Sequence, residues 1–498
     1  MKKIVNARPL AAIALSQISG IFLAAFTPAL GVWARIIPLI VVSVVGGTVT
    51  LFVKGTFKRI FCCSVACCCI ALTFVGGASV VNRANKIAAA RTDGEYLVTG
   101  VVRYSSFVGG KYNVRLTDCR SDGKKCGDIA INGIKEKLEL YDCVSVQCVL
   151  QSPEISENGR YTNYVFNNVA LVADSYRELK KTGVKVCLPY KFRNFVSEKL
   201  VGIDESARAT AFALVCGDTT RMKNEVELFR ATGIAHVFAV SGLHVGLLCA
   251  LLSLIFRPIP VHRAIKGVII SCLLVLYSFV CGFSASSLRA AIMCATYLLT
   301  SASYEKKDRL SALSLASIVA LIANPFDLFG AGYVLSFSLS LSMIALAPAV
   351  AAKIKSQSEG FTGAVSTLVS AEAAAIPLSV KYFGSFPLAS VIGNLVVVPS
   401  VTAAFYALAA GLALSVVVPP AVALYVAGAL LAGTEYFASL LAKINLSATF
   451  FPDALAVAYF AALFIASDLV NAGKTVKRFA AMFCVAAVAV SLFASYVV

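Results

Sequence analysis

The side chains best able to do chemistry in this chain lie inside long apolar stretches. The clearest group is His236, Ser241, Gly242 and His244, which stand within one otherwise apolar segment. Polar groups in a membrane-spanning helix cost free energy, so they normally face a cavity, a polar partner or a water-filled path. In the structural alternative, Ser241 and Gly242 are small packing residues and the histidines bond to neighbouring backbone.

Three more polar side chains, Arg289, Glu372 and Asn394, also stand in apolar stretches. Arg289 is near the end of its stretch, where a long basic side chain can reach the membrane surface. Glu372 is near the middle of Phe361–Val380, where a carboxylate is costliest. Because a carboxylate there needs a counter-charge or a proton, we expect Glu372 either to pair with Arg289 or to be protonated.

An intramembrane hydrolase is one function class to weigh, with Ser241 as the nucleophile and His236 or His244 as its base. No acidic residue stands at a motif-like spacing that would orient either histidine, so we expect no catalytic residues. The sequence also lacks a Gly-x-x-x-x-Gly-Lys-Ser/Thr phosphate loop, so an ATP-driven motor would be a separate protein. We expect no cofactor and no metal site.

The composition identifies lipid as the solvent of most of the chain. Of the 498 residues, 59% are hydrophobic and 14% are charged, and the mean hydropathy is +0.82. These values exclude a soluble protein and a single-helix anchor. The net charge of +18 does not by itself indicate nucleic-acid binding, because membrane proteins gather Lys and Arg in cytoplasmic loops.

Apolar segments long enough to span a membrane fall into two groups. Three lie within residues 1–90: Leu10–Phe26, Ile36–Val53 and Ile60–Val81. Ten follow residue 230: Ile234–Phe256, Ala264–Gly282, Ser287–Ser303, Leu310–Ala323, Ala331–Ala351, Phe361–Val380, Leu388–Val416, Ala421–Leu441, Ala454–Val470 and Phe479–Val497. Counting the later segments from an outside start places four links in the cytoplasm, and these are the basic ones, as the positive-inside rule requires: Arg257–Lys266, Tyr304–Arg309, Lys353–Ser358 and Lys474–Arg478. We predict about thirteen spans, a cytoplasmic N-terminus and an external C-terminus.

Residues 91–180, between the two groups, follow the period of β-strands. The alternating runs are Glu95–Tyr104, Lys111–Thr117, Asp128–Ile134 and Cys143–Leu150. Turn sequences separate them at Gly109-Gly110, Asp122-Gly123 and Asn132-Gly133. This pattern fits a small β-barrel, of which the OB-fold is one candidate. The topology places the domain outside, where disulfides can form among Cys119, Cys126, Cys143 and Cys148.

Aromatic residues of this domain are candidates for stacking on nucleic-acid bases, although most are more simply explained as β-core or hairpin residues. They are Tyr96, Tyr104, Phe107, Tyr112, Tyr161 and Tyr164. Residues 181–230 then form a linker, and its stretch Lys185–Arg208 is basic and amphipathic. We expect that stretch to lie on the membrane surface or against the helices.

Four ordered sequence elements resemble those of the ComEC family of competence proteins. The first runs from Thr232 to Val245, with a Thr-Gly, a His and a Ser-Gly-Leu-His at the family's spacing. The second is Gly282–Ala290; the third is Asn324–Leu328 followed by Gly332–Phe337; the fourth is Pro377–Pro399, with Phe383-Gly384, Pro387 and Asn394-Leu395. The third element departs from the family at Gly330 and Val334, where the family has Asp and Gln. That departure weakens a pore-lining role for the third element.

The resemblance implies a polytopic α-helical membrane protein with an inserted external OB-like domain. Its parts would be N-terminal membrane helices (1–90), the OB-like domain (91–180), the amphipathic linker (181–230) and a competence-type channel domain (231–498). The implied function is a channel in the bacterial inner membrane for uptake of single-stranded DNA during natural transformation. A transporter or flippase for a small or lipid-linked substrate is the alternative. The candidate pore residues are His236, Ser241, Gly242, His244, Arg289, Glu372 and Asn394.

The implied partners are single-stranded DNA and membrane lipid, together with a separate DNA receptor, nuclease and cytoplasmic motor. Many family members carry a metallo-β-lactamase-like domain, and we expect this chain to be a form without it. The sequence has three histidines and no His-x-His-x-Asp-His cluster, so a di-metal hydrolase site of that kind has no ligands here.

Overall fold

The computed structural model describes residues 9–26, 95–108, 110–121, 124–151, 169–173, 175–222, 224–234, 242–302, 308–354, 358–444, 446–470 and 472–497. The chain divides into two units. One contains Pro9–Phe192 and Ser317–Gly330, and the other contains Arg193–Ala316 and Ala331–Val498. In the first unit, helix α1 (Pro9–Phe26) confirms the first predicted apolar segment as a helix. The predicted segments Ile36–Val53 and Ile60–Val81 lie outside the described residues.

The polar insert is a six-stranded sheet. Its strands are β1 (Glu95–Val108), β2 (Lys111–Ser121), β3 (Lys124–Ile134), β4 (Asp142–Val149), β5 (Val169–Ala173) and β6 (Tyr176–Val184). The strand order is β5-β3-β2-β1-β4-β6; β3 and β5 are parallel, and the other neighbours are antiparallel. The long strand β1 pairs with both β2 and β4. An isolated bridge between Gln151 and Val172 also joins the chain after β4 to β5.

The four predicted strands are confirmed, and their alternation builds the core of the sheet domain. Along β4, buried and partly exposed residues alternate strictly, so successive side chains face opposite sides. Val98, Leu116, Ile129 and Val146 are fully buried in one apolar cluster. Strands β5 and β6 were not predicted, and β6 continues to Val184, past the predicted boundary at residue 180.

One predicted turn is wrong. Asn132 and Gly133 lie inside β3, and the pairing with β2 shifts there from Tyr112–Ile134 to Val114–Ile131. Gly133 has φ +76°, a left-handed conformation that glycine adopts without steric cost. The dipeptide therefore makes a β-bulge, which places an extra residue in one strand without reversing the chain.

The linker folds into three short helices: α2 (Leu188–Lys199), α3 (Glu205–Cys216) and α4 (Asn224–Ala231). A 3-10 turn at Leu200–Gly202 separates α2 from α3. A side chain on Gly202 would come within about 2.5 to 2.6 Å of the backbone at Pro420 and Ala421, so the chain needs glycine there. Lys199 donates to the Ser415 carbonyl at 3.0 Å, which anchors the end of α2 within the second unit.

Each of the ten apolar segments predicted after residue 230 contains one principal helix. These are α5 (Gly242–Phe256), α6 (Arg263–Val280), α7 (Ala285–Ala302), α8 (Arg309–Ala323), α9 (Ala331–Ala351), α10 (Glu359–Phe383), α11 (Ala389–Leu414), α13 (Tyr425–Leu441), α14 (Asp453–Ala466) and α15 (Lys474–Val497). A four-residue helix α12 (Pro420–Ala423) precedes α13, and the short strands β7 (Phe386–Pro387) and β8 (Ser447–Ala448) pair with each other.

Five of the described helices are long and apolar enough to cross a membrane: α6, α9, α10, α11 and α15. Large apolar side chains are exposed on this part of the chain, with Val417 88% exposed and Phe493 72% exposed. Such surfaces are stable against lipid and unstable against water. The protein is therefore a helical membrane protein with an inserted sheet domain.

Prolines inside the long helices create polar backbone sites. Pro377 of α10 has no N–H, so the carbonyl of Ala373, four residues earlier, loses its usual donor. The Tyr459 hydroxyl of α14 donates to that carbonyl at 2.8 Å. A carbonyl in hydrocarbon needs a replacement donor, and the neighbouring helix provides it.

Candidate functional site

The Thr-Gly of the first sequence element ends α4 and meets the fourth element. Thr232 is fully buried and donates to the Leu228 carbonyl at 3.0 Å. Gly233 has φ +72°, and a Cβ there would lie 2.6 Å from the Cβ of Ser390 in α11. Both the backbone conformation and the close approach exclude a side chain, so the structure explains why glycine occupies this position.

The first and second elements meet where α5 begins. The Gly242 N–H donates to the Ser286 hydroxyl at 3.2 Å. A side chain on Gly242 would collide with the Arg289 guanidinium, one turn further along α7. The structure thus brings two predicted site residues, Gly242 and Arg289, into one place, and it adds Ser286 as a hydrogen-bonding partner.

A tight chain reversal positions this part of α7. Gly282 and Phe283 both have positive φ values, 91° and 52°, at the end of α6. The hydroxyl of Ser284 then accepts from the Ser287 N–H at 3.1 Å and caps the first turn of α7. The Gly-Phe-Ser of the second element is therefore the turn and helix cap that orient Ser286 and Arg289.

His244 is fully buried in α5 and packs against α11. Its ring lies edge to face with Phe405, with centroids 5.7 Å apart. The contact makes His244 part of the interface between α5 and α11. It is also a second link between the first element and the helix that carries the fourth.

Glu372 and Asn394 form a polar pair between α10 and α11. The Asn394 side-chain N–H donates to Glu372 Oε1 at 2.6 Å, and Glu372 is 8% exposed. The partner of Glu372 is thus Asn394, and the predicted pairing with Arg289 is not formed. Arg289 makes no ion pair with any described carboxylate, and its Nε is buried without a hydrogen-bond partner there.

Sequence reasoning missed another carboxylate of the same kind. Glu435 lies in the middle of α13, half-buried, and the Thr210 hydroxyl of α3 donates to it at 2.5 Å. The signal was present, because Glu435 falls inside the predicted apolar segment Ala421–Leu441. One residue before Glu435, the Thr434 hydroxyl of α13 lies 2.8 Å from the Ser400 hydroxyl of α11 and forms a hydrogen bond with it.

The third element forms a short turn followed by an aromatic pair. In its first part, Asn324 donates to the Asp327 side chain at 2.5 Å and closes a short 3-10 turn, Pro325–Phe329. In its second part, Tyr333 and Phe337 stack with centroids 4.2 Å apart in α9. Both parts have local structural roles.

Two predicted site residues, His236 and Ser241, lie outside the described residues. The four cysteines of the sheet domain are free thiols in this structure, so the disulfide stays a prediction. Cys119 and Cys148 lie in the apolar core, whereas Cys143 faces the other side of β4. Burial raises the pKa of the Cys148 thiol to about 11 and also raises that of Cys119. Within the described part of the chain, no group of three or more His, Cys, Asp or Glu side chains could hold a metal ion.

Comparison with known proteins decides the family. The sequence profile of the family described as "Competence protein" matches residues 214–471, about half of the chain. This chain belongs to the ComEC family of competence proteins. All four sequence elements lie inside the matched range, and so do the contacts of Gly233 with Ser390, of Gly242 with Arg289 and of Asn394 with Glu372.

ComE operon protein 3 of Bacillus subtilis (strain 168) is a relative of this ComEC-family chain. The two are 34% identical over 191 residues, which cover 38% of this chain and 24% of the relative. The matched segment thus spans about a quarter of the relative's length. No solved structure shows significant similarity to the chain.

Proposed function

We propose that this chain forms a channel through which single-stranded DNA crosses the bacterial inner membrane during natural transformation. The observation that carries the proposal is that the first element contacts the second where α5 begins, at Gly242 and Arg289, and contacts the fourth at the end of α4, at Gly233 and Ser390. Each phosphate of DNA is charged, so the strand needs a path lined by polar groups and small side chains. Gly242, Ser286 and Arg289 provide such groups at one place.

Arg289 is the strongest phosphate ligand in this group. A guanidinium inside a helical unit is normally matched by a carboxylate, because an unpaired buried charge is costly. The described residues give Arg289 no such partner. An anion that enters and leaves would complete the site, and guanidinium is well suited to phosphate. We place Arg289 on the DNA path, with His236, Ser241, Gly242, His244 and Asn394 as the further candidates.

The sheet domain fits an OB-like barrel outside the membrane. Three pairings support that fold: β1 with both β2 and β4, β3 in parallel with β5, and the Gln151–Val172 bridge between the ends of β4 and β5. Tyr104, which is 59% exposed, is its best base-stacking candidate. Tyr96 and Tyr112 instead pack on the core.

In this proposal the chain has about thirteen spans, a cytoplasmic N-terminus and an external C-terminus. The chain acts as a channel and not as an enzyme, and it works with a separate DNA receptor, nuclease and cytoplasmic motor.

A substitution pair tests the non-enzymatic role. Ser241→Ala should retain most DNA uptake, whereas Ser241→Trp should block it. Complete loss in Ser241→Ala at normal protein levels would favour a nucleophilic serine.

The decisive experiment measures uptake of labelled DNA in a deletion strain of the source organism. The readout is protection of the label from external nuclease, and the strain is rescued with wild-type or variant protein. Wild type should restore protection, and Arg289→Ala should lower it by about tenfold or more, the loss expected for a charge-assisted hydrogen bond of about 1.5 kcal/mol. Arg257→Ala, which removes an exposed arginine at the end of α5, is the matched control and should keep full uptake.

Two results would contradict the proposal. One is equal protection of the label in the deletion strain and in wild type. The other is uptake by Arg289→Ala indistinguishable from that of Arg257→Ala at equal protein levels. In the first case, transport of a small or lipid-linked substrate becomes the hypothesis to test.

A further inference from the structure

Helices α10 and α11 repeat the same local arrangement where they meet. Each helix contains a proline, which has no N–H to donate to the carbonyl four residues earlier. The residue just before that carbonyl is polar. In α10 these residues are Glu372, Ala373 and Pro377, and in α11 they are Asn394, Leu395 and Pro399. Tyr459 donates to the Ala373 carbonyl, whereas Pro399 leaves the Leu395 carbonyl without its usual helical donor. Both helices are continuous, and each proline leaves a carbonyl oxygen that can accept a bond from outside the helix.

The charge of Glu372 is not balanced by the residues around it. Its carboxylate accepts a hydrogen bond from the Asn394 amide at 2.6 Å, but an amide is neutral. None of the described Lys, Arg or His side chains forms an ion pair with Glu372. A carboxylate buried in a membrane segment requires a counter-charge or a proton.

Two further oxygen atoms on the face of α11 that carries Asn394 have no partner among the described residues. The Asn394 Oδ1 atom and the Ser390 Oγ atom are both buried, and neither has a hydrogen-bond partner among the described residues. Ser390 is 2% exposed. Residues four apart lie on one helix face with Cβ atoms about 5–6 Å apart, so Ser390 and Asn394 face the same side of α11. Buried polar atoms normally have partners, so these two oxygen atoms are suited to bind a ligand.

We propose that Glu372, Asn394 and Ser390 bind a monovalent cation, Na⁺, within the membrane. Carboxylate, amide and hydroxyl oxygens are ligands for hard cations. A single carboxylate is neutralised by one positive charge, whereas a divalent ion would leave an excess charge in a low-dielectric site. The site goes beyond the proposed DNA channel, and it removes the negative charge that would otherwise repel phosphate.

Direct binding of ²²Na⁺ to the full chain in lipid nanodiscs tests this site. Choline chloride keeps the ionic strength constant at pH 8, and no DNA is present. Wild type should bind ²²Na⁺ saturably, and Glu372→Gln should abolish that binding. Ser390→Ala, a conservative change that preserves packing, should weaken the affinity by at least about tenfold, since even outer partners of metal sites have effects of that size.

Glu435→Gln is the matched control, because Glu435 is also a carboxylate within an apolar helix but is bonded to Thr210. It should bind ²²Na⁺ as wild type does. Absence of saturable binding by wild type would overturn the proposal, as would equal binding by wild type and Ser390→Ala. If acidification stabilises wild type but not Glu372→Gln, and Na⁺ has no effect, the occupant is a proton and the Na⁺ site is refuted. Because the assay needs no DNA, its failure leaves the channel proposal standing, and failure of the uptake experiment leaves the cation site standing.

Discussion

The sheet domain and the helical unit sort their polar groups in opposite ways. In the sheet domain, charged side chains pair at the surface, as Arg177 does with Glu95 at 2.8 Å, and the main core cluster is apolar. In the helical unit, large apolar side chains are exposed, while Glu372 and His244 are buried. Water solvates the first region, where the hydrophobic effect buries apolar side chains, and lipid solvates the second, where the cost of polar groups in hydrocarbon turns them inward. A buried polar group is therefore a packing problem in the sheet domain and a functional candidate in the helices.

Close packing between the helices also restricts glycine positions, and substitution at Gly233 should have the largest effect on stability. Gly233→Ala combines a left-handed backbone, which costs about 1–2 kcal/mol, with overpacking against Ser390, which costs about 1–3 kcal/mol. Gly384→Ala is the control, because Gly384 has φ +77° but no atom within 4 Å of the added Cβ. Thermal unfolding in detergent should show Gly233→Ala to be clearly less stable than Gly384→Ala. Equal losses would mean that the contact between the first and fourth elements is unimportant.

A second glycine pair tests function in the helical unit. Gly242→Ala should displace the Arg289 guanidinium and lower DNA uptake by about tenfold, the effect expected for losing one charge-assisted contact. Gly246→Ala, one turn further along α5, meets no atom within 4 Å and should leave uptake unchanged. Nuclease-protected label in the rescued deletion strain is the measurement. If uptake falls equally in both variants, the loss comes from a general disturbance of α5 and not from displacement of the Arg289 guanidinium.

Thiol labelling separates the two faces of the sheet domain. An impermeant maleimide added outside intact cells should modify Cys143 on the partly exposed face of β4. It should spare Cys148, which is 2% exposed and whose pKa burial raises to about 11, because the thiolate is the reactive form. Mass spectrometry locates the modified residue, and both thiols should react after denaturation. Labelling of Cys143 only in broken cells would place the domain on the cytoplasmic side.

The smallest effect is expected from a surface ion pair of the sheet domain. Lys185 donates to Asp118 at 2.5 Å, and this hydrogen bond raises the pKa of Lys185 above its usual 10.5. The pair therefore stabilises the fold fully below pH 10.5, and the contribution disappears as the pH rises through the higher folded-state pKa. Asp118→Asn should lower the thermal midpoint slightly at pH 8 and not at high pH, because exposed pairs contribute little. Midpoints that differ equally at both pH values would assign the effect to packing.

Much of the helical unit was predictable because its signal is local. A long apolar run is a helix in lipid, since every backbone group must be satisfied within the segment, and each of the ten predicted segments contains a principal helix. The bulge at Asn132-Gly133 was not predictable, because the same dipeptide makes a turn or a bulge depending on the partner strand. Strands β5 and β6 were missed for a similar reason, since their pairing depends on distant strands.

The sequence by itself determined the solvent of the chain, its apolar segments, four of the six strands of the insert and four ordered elements that identify the family. Tertiary structure decided which polar residues meet. It paired Glu372 with Asn394 and not with Arg289, placed Arg289 beside Gly242, and bonded Glu435 to Thr210. Spacing along one helix fixes which residues share a face. The choice of partner depends on which helix packs against that face, and contacts between helices far apart in the chain decide that.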